Sequence, residues 1–282
     1  MNEILTTEQI APSTYRYRVY HPKLTQKCRA GQFVILRVHE GGERVPLTIV
    51  DADPVSGSVT LIFQAVGHST RELAELQVGD RLLDLAGPLG QPTHIERYGT
   101  VCVLGGGYGT APVLPIAQAL CQAGNEMIGI IGARTRELVI LEQELGAICS
   151  RLEVATDDGS YGHQGLVTAV LQGLWEEGVK LDFVLAVGPA PMMRAVSELT
   201  RERGLKTMVS LNPLMIDGTG MCGGCRVEVG GETKFACVDG PEFDGHLVNF
   251  DLLMQRQGTY RAEEREAGAW GLHCNLEAAS QG

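Results

Sequence analysis

Four residues toward the end of the chain have the types and spacing to hold metal: Asp217, Cys222, Cys225 and Cys237. The first three stand in the run Asp217-Gly218-Thr219-Gly220-Met221-Cys222-Gly223-Gly224-Cys225, and the fourth follows twelve positions later. A two-iron cluster of the plant type uses C-x4-C-x2-C plus a more distant cysteine. The spacing here is the same, with a carboxylate in the first position. Three thiolates and one carboxylate are all anionic and would satisfy two ferric ions, so a [2Fe–2S] cluster is expected on these four side chains. The interspersed glycines let the backbone wrap closely around an inorganic core and aim amides at its sulfurs. C-x2-C is also a zinc knuckle, but a zinc ribbon normally carries a second tight pair, and Cys237 stands alone.

A second candidate is Gly105-Gly106-Gly107-Tyr108-Gly109-Thr110-Ala111-Pro112, which follows the apolar run Val101-Cys102-Val103-Leu104 and opens a helical stretch. Gly106, Gly107 and Gly109 would allow close approach to a pyrophosphate, and the helix N-terminus supplies amides and a favourable dipole. Thr110 reads as the N-cap, with Pro112 tolerated in the first turn. A tight turn would use the same glycines; the strand before and the helix after favour a dinucleotide. The acidic residue usual after the second strand of ordinary dehydrogenases is replaced by Arg134. An acid follows the third strand instead, in Thr156-Asp157-Asp158-Gly159-Ser160. There Asp157 or Asp158 is placed to accept from an adenosine ribose, unless the segment is only an Asp-Gly turn. Gly188 and Met192, in Gly188-Pro189-Ala190-Pro191-Met192, end a further strand and are expected to border a nicotinamide, since ligands of open α/β sheets bind beyond the strands' carboxyl ends.

Two more segments lie nearer the N-terminus. In Gly67-His68-Ser69-Thr70-Arg71-Glu72-Leu73, Ser69 and Thr70 read as the start of a helix. That N-terminus can hold a second pyrophosphate, to which Arg44, in Arg44-Val45-Pro46-Leu47-Thr48, could add a bidentate contact. Gly87-Pro88-Leu89-Gly90 is a tight turn. Taken singly, each is also ordinary turn chemistry.

The elements that must position these residues fall into three groups. Residues 1–97 read as short strands broken by glycine and proline: Thr14 to Tyr20 alternates, Phe33 to Val38 is apolar, and Val59 to Val66 alternates again. This predicts a small antiparallel β barrel. Residues 98–210 alternate apolar strands (Val101–Leu104, Met127–Ile131, Leu152–Ala155, Phe183–Val187) with helical stretches, the pattern of a doubly wound α/β domain. Residues 211–282 carry the glycine–cysteine segment and a tail that, from about Ala262, reads as an exposed helix or frayed end. Cys102 and Cys121 sit in apolar runs and are expected in the core; Cys28, Cys149 and Cys274 are scattered without ligand spacing.

At 282 residues and 44% hydrophobic content the chain can build two or three packed cores. No run of about 18 apolar residues predicts a membrane helix. The start, Met1-Asn2-Glu3-Ile4, has no basic region and apolar core of a secretory signal, so a cytoplasmic location is expected, with the eight cysteines read as thiols and ligands. A net charge of −11 argues against nucleic acid.

Together the motifs resemble the ferredoxin-reductase-like flavoproteins. Arg-x-Pro-x-Thr is similar to that family's flavin signature R-x-Y-[ST], and Gly-Pro-Leu-Gly followed by Gly-Gly-Gly-x-Gly-x-Ala-Pro is also typical. The C-terminal cysteine module resembles that of dihydroorotate dehydrogenase electron-transfer subunits and their relatives. Asp217 in place of cysteine is closer still to the small subunits of NADH-dependent ferredoxin:NADP oxidoreductases, also known as sulfide dehydrogenase β subunits. The resemblance covers residues 1 to about 255. It implies FAD in the barrel (Arg44, Pro46, Leu47, Thr48, Gly67, His68, Ser69, Thr70, Gly87), NAD(H) in the α/β domain and the cluster on Asp217, Cys222, Cys225 and Cys237. It also implies a larger partner subunit in a heterodimer, bearing another flavin and further iron–sulfur clusters, through which ferredoxin is reached. Leu47 takes the place of the tyrosine that commonly stacks on the flavin, while Thr48 keeps a hydroxyl near the ring's reactive edge. No acid–base residue is required for hydride transfer, so no catalytic side chain is assigned. A zinc-containing nucleotide-binding module is the alternative from another class.

Overall fold

The computed structural model describes residues 1–259; the tail expected to be helical or frayed, and Cys274, lie outside the described residues. The first layer contains β1 (Glu3–Ala11), β2 (Thr14–Tyr20), a short α1 (Pro22–Thr25), β3 (Phe33–Arg37), β4 (Val45–Asp53), β5 (Ser58–Gln64), α2 (His68–Glu75) and β6 (Asp84–Leu89). The strands pair antiparallel in the order β1-β2-β5-β4-β3-β6. The sheet curls toward closure: Ile4 N donates to Asp80 O and Gly79 N to Ile4 O, both at 2.9 Å. Alternate side chains fill the interior, among them Tyr17 and Val19, Val34 and Leu36, Leu47 and Ile49, and Val59, Leu61 and Phe63. This is the period-2 burial expected of a sheet with one face packed.

The second layer contains β7 (Thr100–Gly106), α3 (Thr110–Gln122), β8 (Glu126–Ala133), α4 (Glu142–Gly146), β9 (Arg151–Thr156), β10 (His163–Gln164), α5 (Val167–Glu176), β11 (Phe183–Val187), α6 (Ala190–Arg201) and β12 (Thr207–Ser210). These strands run parallel in the order β10-β9-β8-β7-β11-β12. The chain winds outward from β7 to β9, then returns to place β11 on the other side of β7. The strand order reverses between β7 and β11, which makes the crevice beyond their carboxyl ends the natural ligand site.

The remaining elements are a hairpin of β13 (Arg226–Val229) and β14 (Glu232–Phe235), then β15 (Glu242–Asp244) and α7 (Phe250–Gln257). Gly230 and Gly231, with φ of +62° and +79°, make the two-residue hairpin turn that needs left-handed backbone. β15 adds antiparallel to the edge of the parallel sheet beside β12, so this module shares a sheet with the α/β domain. Barrel and α/β domain also share a core, in which Val50 and Ile62 pack with Val101, Val103 and the buried face of α3. Arg16 on β2 reaches Glu144 on α4 at 2.5 Å. Cys102 is fully buried. Cys121, expected in the core, is exposed: it sits in the last turn of α3, past the helix face that packs on the sheet. Among the described residues no helix is long and apolar enough to cross a membrane.

Candidate functional site

A cleft of about 820 Å³ opens at the β7–β11 switch point, between the two domains. Nine of the residues singled out in the sequence line it: Pro46, Thr48, Gly106, Gly107, Gly109, Arg134, Asp157, Gly188 and Met192.

The glycine loop is held by close packing. A Cβ on Gly106 would meet Met192 Sδ at 2.4 Å, and one on Gly109 would meet Val187 O at 2.3 Å. Gly107 has φ of +55° and open space before it, so the loop's concave side is free backbone. Helix α3 begins at Thr110 with Gly109 in the cap position. Thr110 is therefore the first helical residue and not the cap. Its Oγ1 is buried without a hydrogen-bond partner, an orphan hydroxyl at a helix N-terminus whose first amides are also free of intrahelical partners.

Arg134 and Asp157 emerge side by side from β8 and β9, where Ala133 pairs with Thr156 and Asp157 N donates to Ala133 O at 3.0 Å. Asp158 is committed to its turn: its Oδ1 accepts Ser160 N at 2.9 Å and Ser160 Oγ at 2.6 Å. Those hydrogen bonds hold its carboxyl below the usual range. Of the two acids, Asp157 is the one in the cleft.

On the barrel side, β4 presents Pro46 and Thr48 to the cleft and turns Leu47 into the barrel core, where it is 5% exposed. The expected flavin contact from Leu47 therefore has the side chain behind the strand, because β4 alternates and Thr48 pairs with Phe33, itself a cleft residue. Gly67 caps α2. Thr70 Oγ1 accepts the Gly67 and Val66 amides at 3.1 Å each, and Ser69 Oγ donates to Glu43 at 2.6 Å. His68 is exposed beside Glu72, and Arg44 is exposed in the loop before β4. Gly87 lies on β6, where a Cβ would press on Val34 at 2.9 Å. Arg44, the α2 terminus and Gly87 do not line the cleft. The sequence reading passed over Phe33, Gln64 and Tyr108, which do; only Tyr108, inside the glycine run, carried a local signal.

The cysteine loop lies against the barrel: a Cβ on Gly218 would meet Leu89 at 2.7 Å and Ile35 at 2.9 Å. Cys225 and Cys237 are buried with their sulfurs 3.2 Å apart. Burial, with Cys225 beside it, pushes the Cys237 thiol up to about 12. Amides point at sulfur, Gly224 N to Cys222 Sγ at 3.4 Å and Cys237 N to Cys225 Sγ at 3.5 Å. Asp217 accepts the Thr219 amide at 2.8 Å and the Cys222 amide at 2.7 Å, which hold its carboxyl below the usual range. Among the described residues no three such side chains already surround one point, because Asp217 faces its own loop and Cys222 faces outward. The donor set nevertheless fits an iron–sulfur core: two buried sulfurs, amides aimed at thiols and a carboxylate on the same glycine-rich loop. The other described cysteines, Cys28, Cys102, Cys121 and Cys149, lie in the barrel and the α/β domain, so no second tight pair completes a zinc ribbon.

Comparison with known proteins agrees with this architecture. Residues 212–249 match the model of the iron–sulfur cluster binding domain of dihydroorotate dehydrogenase B. The chain is 46% identical to the dihydroorotate dehydrogenase B (NAD(+)) electron transfer subunit homolog of Thermotoga maritima, over 94% of this chain and 93% of that one. It is 34% identical to the corresponding subunit of Geobacillus thermodenitrificans, over 85% and 94%. A chain in the solved structure of an NADH-dependent reduced ferredoxin-NADP oxidoreductase, studied for flavin-based electron bifurcation, superposes with a TM-score of 0.92. It is 44% identical, covering 96% of this chain and 98% of that one. The ferredoxin NADP+ reductase of Neisseria gonorrhoeae, 18% identical with a TM-score of 0.56 over 72% and 90%, shares the fold. With a barrel, a switch-point cleft and a cysteine module in one arrangement, and with relatives matched over nearly their whole length, the chain belongs to the family of dihydroorotate dehydrogenase B electron transfer subunits and their homologues.

Proposed function

We propose that this chain is the small electron-transfer subunit of an electron-bifurcating NADH-dependent ferredoxin:NADP oxidoreductase, moving electrons between NAD(H), FAD and a [2Fe–2S] cluster. The observation that carries the reading is the meeting of three sites on one barrel: β4 faces the switch-point cleft, while β3 and β6 of the same sheet touch the cysteine loop. The fit of the fold to the bifurcating oxidoreductase chain supports it, as does Asp217 in the first ligand position.

When bound, FAD exchanges a hydride with nicotinamide and single electrons with the cluster, which is why it must lie between them. Residues 1–97 would hold it, with Pro46 and Thr48 on the cleft side of β4, Leu47 supporting the strand from behind, the α2 terminus of Gly67, His68, Ser69 and Thr70 with Arg44 offering its amides and charge to the pyrophosphate, and Gly87 at the end of the barrel. Residues 98–210 hold NAD(H): Gly106, Gly107, Gly109 and Thr110 take the pyrophosphate, and Gly188 and Met192 border the nicotinamide. Asp157 accepts from the adenosine ribose and repels a 2′-phosphate, which favours NAD(H) over NADP(H); Arg134 beside it works in the opposite direction. Residues 211–282 hold the cluster through Asp217, Cys222, Cys225 and Cys237. Phe33, Val187 and Met192 give the cleft apolar walls. A larger flavin- and cluster-bearing subunit completes a cytoplasmic heterodimer and passes electrons to ferredoxin.

A second reading, the electron-transfer subunit of a dihydroorotate dehydrogenase, is favoured by the names of the relatives from Thermotoga maritima and Geobacillus thermodenitrificans. Native co-purification with mass spectrometry separates the two. A partner carrying its own cluster motifs supports the first, and a dihydroorotate-oxidising partner overturns it. Flavin, iron and acid-labile sulfide in the purified chain are expected; zinc without sulfide would remove both readings.

A further inference from the structure

Resting on the reading that the cleft brings nicotinamide beside flavin, we propose that Tyr108 is a positioning residue that fixes the gap between the glycine loop and the flavin-facing strands. Tyr108 sits inside the glycine loop and lines the cleft, its side chain packs against the core that contains Val50 and Ile62, and its hydroxyl donates to Ile62 O of β5 at 2.9 Å. Among the described residues this is the one hydrogen bond from residues 105–109 to the barrel. The acceptor is built for it. The β4–β5 ladder shifts register around Val50 and reaches no further than Ile49 opposite Leu61, so Ile62 follows its end. Ile62 is fully buried, and a buried carbonyl stripped of its partner is costly.

The loop's other side is already clamped, Gly106 against Met192 and Gly109 against Val187 O. Tyr108 therefore supplies the remaining restraint, tying the loop that carries the pyrophosphate to the barrel that carries the ring. Joining the domains does not require it, since Arg16–Glu144 and the shared core of Val50 and Ile62 do that elsewhere. What the hydroxyl adds is register across the cleft. Hydride transfer is steep in that distance, and misplacement of about 1 Å costs up to about a hundredfold.

The test is Tyr108→Phe in the FAD-loaded chain, which keeps the ring and removes the bond. Single-turnover flavin reduction by NADH is expected to slow by about ten- to a hundredfold. The flavin–nicotinamide charge-transfer absorbance should weaken, and NAD+ affinity should stay within about twofold, because the loop's own amides are untouched. Hydrogen exchange in residues 105–109 should quicken even without nucleotide. Unchanged transfer and exchange would overturn the role, as would rate and affinity falling in proportion, the mark of a merely structural contact. A wild-type chain whose flavin NADH does not reduce would overturn the functional reading and this role with it. A wild type that turns over, matched by Tyr108→Phe, overturns the role alone.

Discussion

Glu242 stands where barrel, linker and cysteine module meet. The Thr93 hydroxyl donates to its Oε1 at 2.5 Å, Thr93 N donates to Ala30 O at 2.9 Å, and Gln91 N donates to Gly240 O at 2.6 Å. Gly31 packs so closely that a Cβ there would lie 2.7 Å from the carboxyl oxygen. Burial, opposed only by the Thr93 hydroxyl, pushes this carboxyl from 4.5 up to about 7. A group whose folded value is raised holds its proton more tightly folded than unfolded. Its contribution is full below 4.5, is lost as pH rises toward 7 and stays lost above. At about 1.4 kcal/mol per pH unit, that interval sets a ceiling of about 3 kcal/mol. Glu242→Gln keeps the shape and the acceptor for Thr93 while removing the charge. Thermal melting of the FAD-loaded protein across about pH 5 to 8 should show wild type losing stability relative to the variant, with a gap of roughly 5–10 °C at the alkaline end. Parallel curves for the two proteins, or a variant less stable at alkaline pH, would refute the reasoning.

Asp217→Ala should lose or destabilise the cluster while Asp217→Cys retains it with an altered potential, read by paramagnetic resonance; an unchanged spectrum in the alanine variant contradicts ligation. Cys225→Ala should remove the cluster and leave FAD bound, since the two sites lie in different modules. NADH should outperform NADPH in diaphorase assays by roughly ten- to a hundredfold, the worth of one charge-assisted contact or repulsion; Asp157→Ala should narrow that ratio, and an unaltered ratio counts against the assignment. The chain alone should reduce artificial dyes with NADH yet show no coupled ferredoxin reduction until the larger subunit is added.

The parallel strands were legible because burial on both faces leaves continuous apolar runs, as in Val101–Leu104 and Phe183–Val187. β2 was legible because it alternates from Thr14 to Tyr20 over one packed face. β1 was not: Thr6, Thr7 and Glu8 interrupt any period, and its place follows from pairing with β2. β15 is three residues long and finds its partners 32 to 36 positions earlier in β12, a long-range match that no local pattern announces. At the site, glycines and cysteines speak through spacing, so the switch-point loop and the cysteine loop stood out. Which side of β4 faces the cleft depends on strand register, with Phe33 opposite Thr48; the resemblance that places Leu47 at the stacking position does not carry that register. Asp157 and Asp158 could not be separated until the Ser160 turn had claimed one of them.

The most direct measurement is anaerobic titration of the purified chain with NADH, followed by flavin absorbance and low-temperature paramagnetic resonance in the same samples. The account predicts flavin bleaching accompanied by a reduced [2Fe–2S] signal that is absent in Cys225→Ala, whose flavin still bleaches. Flavin bleaching in wild type with no cluster signal, or a colourless zinc-containing protein, would contradict it.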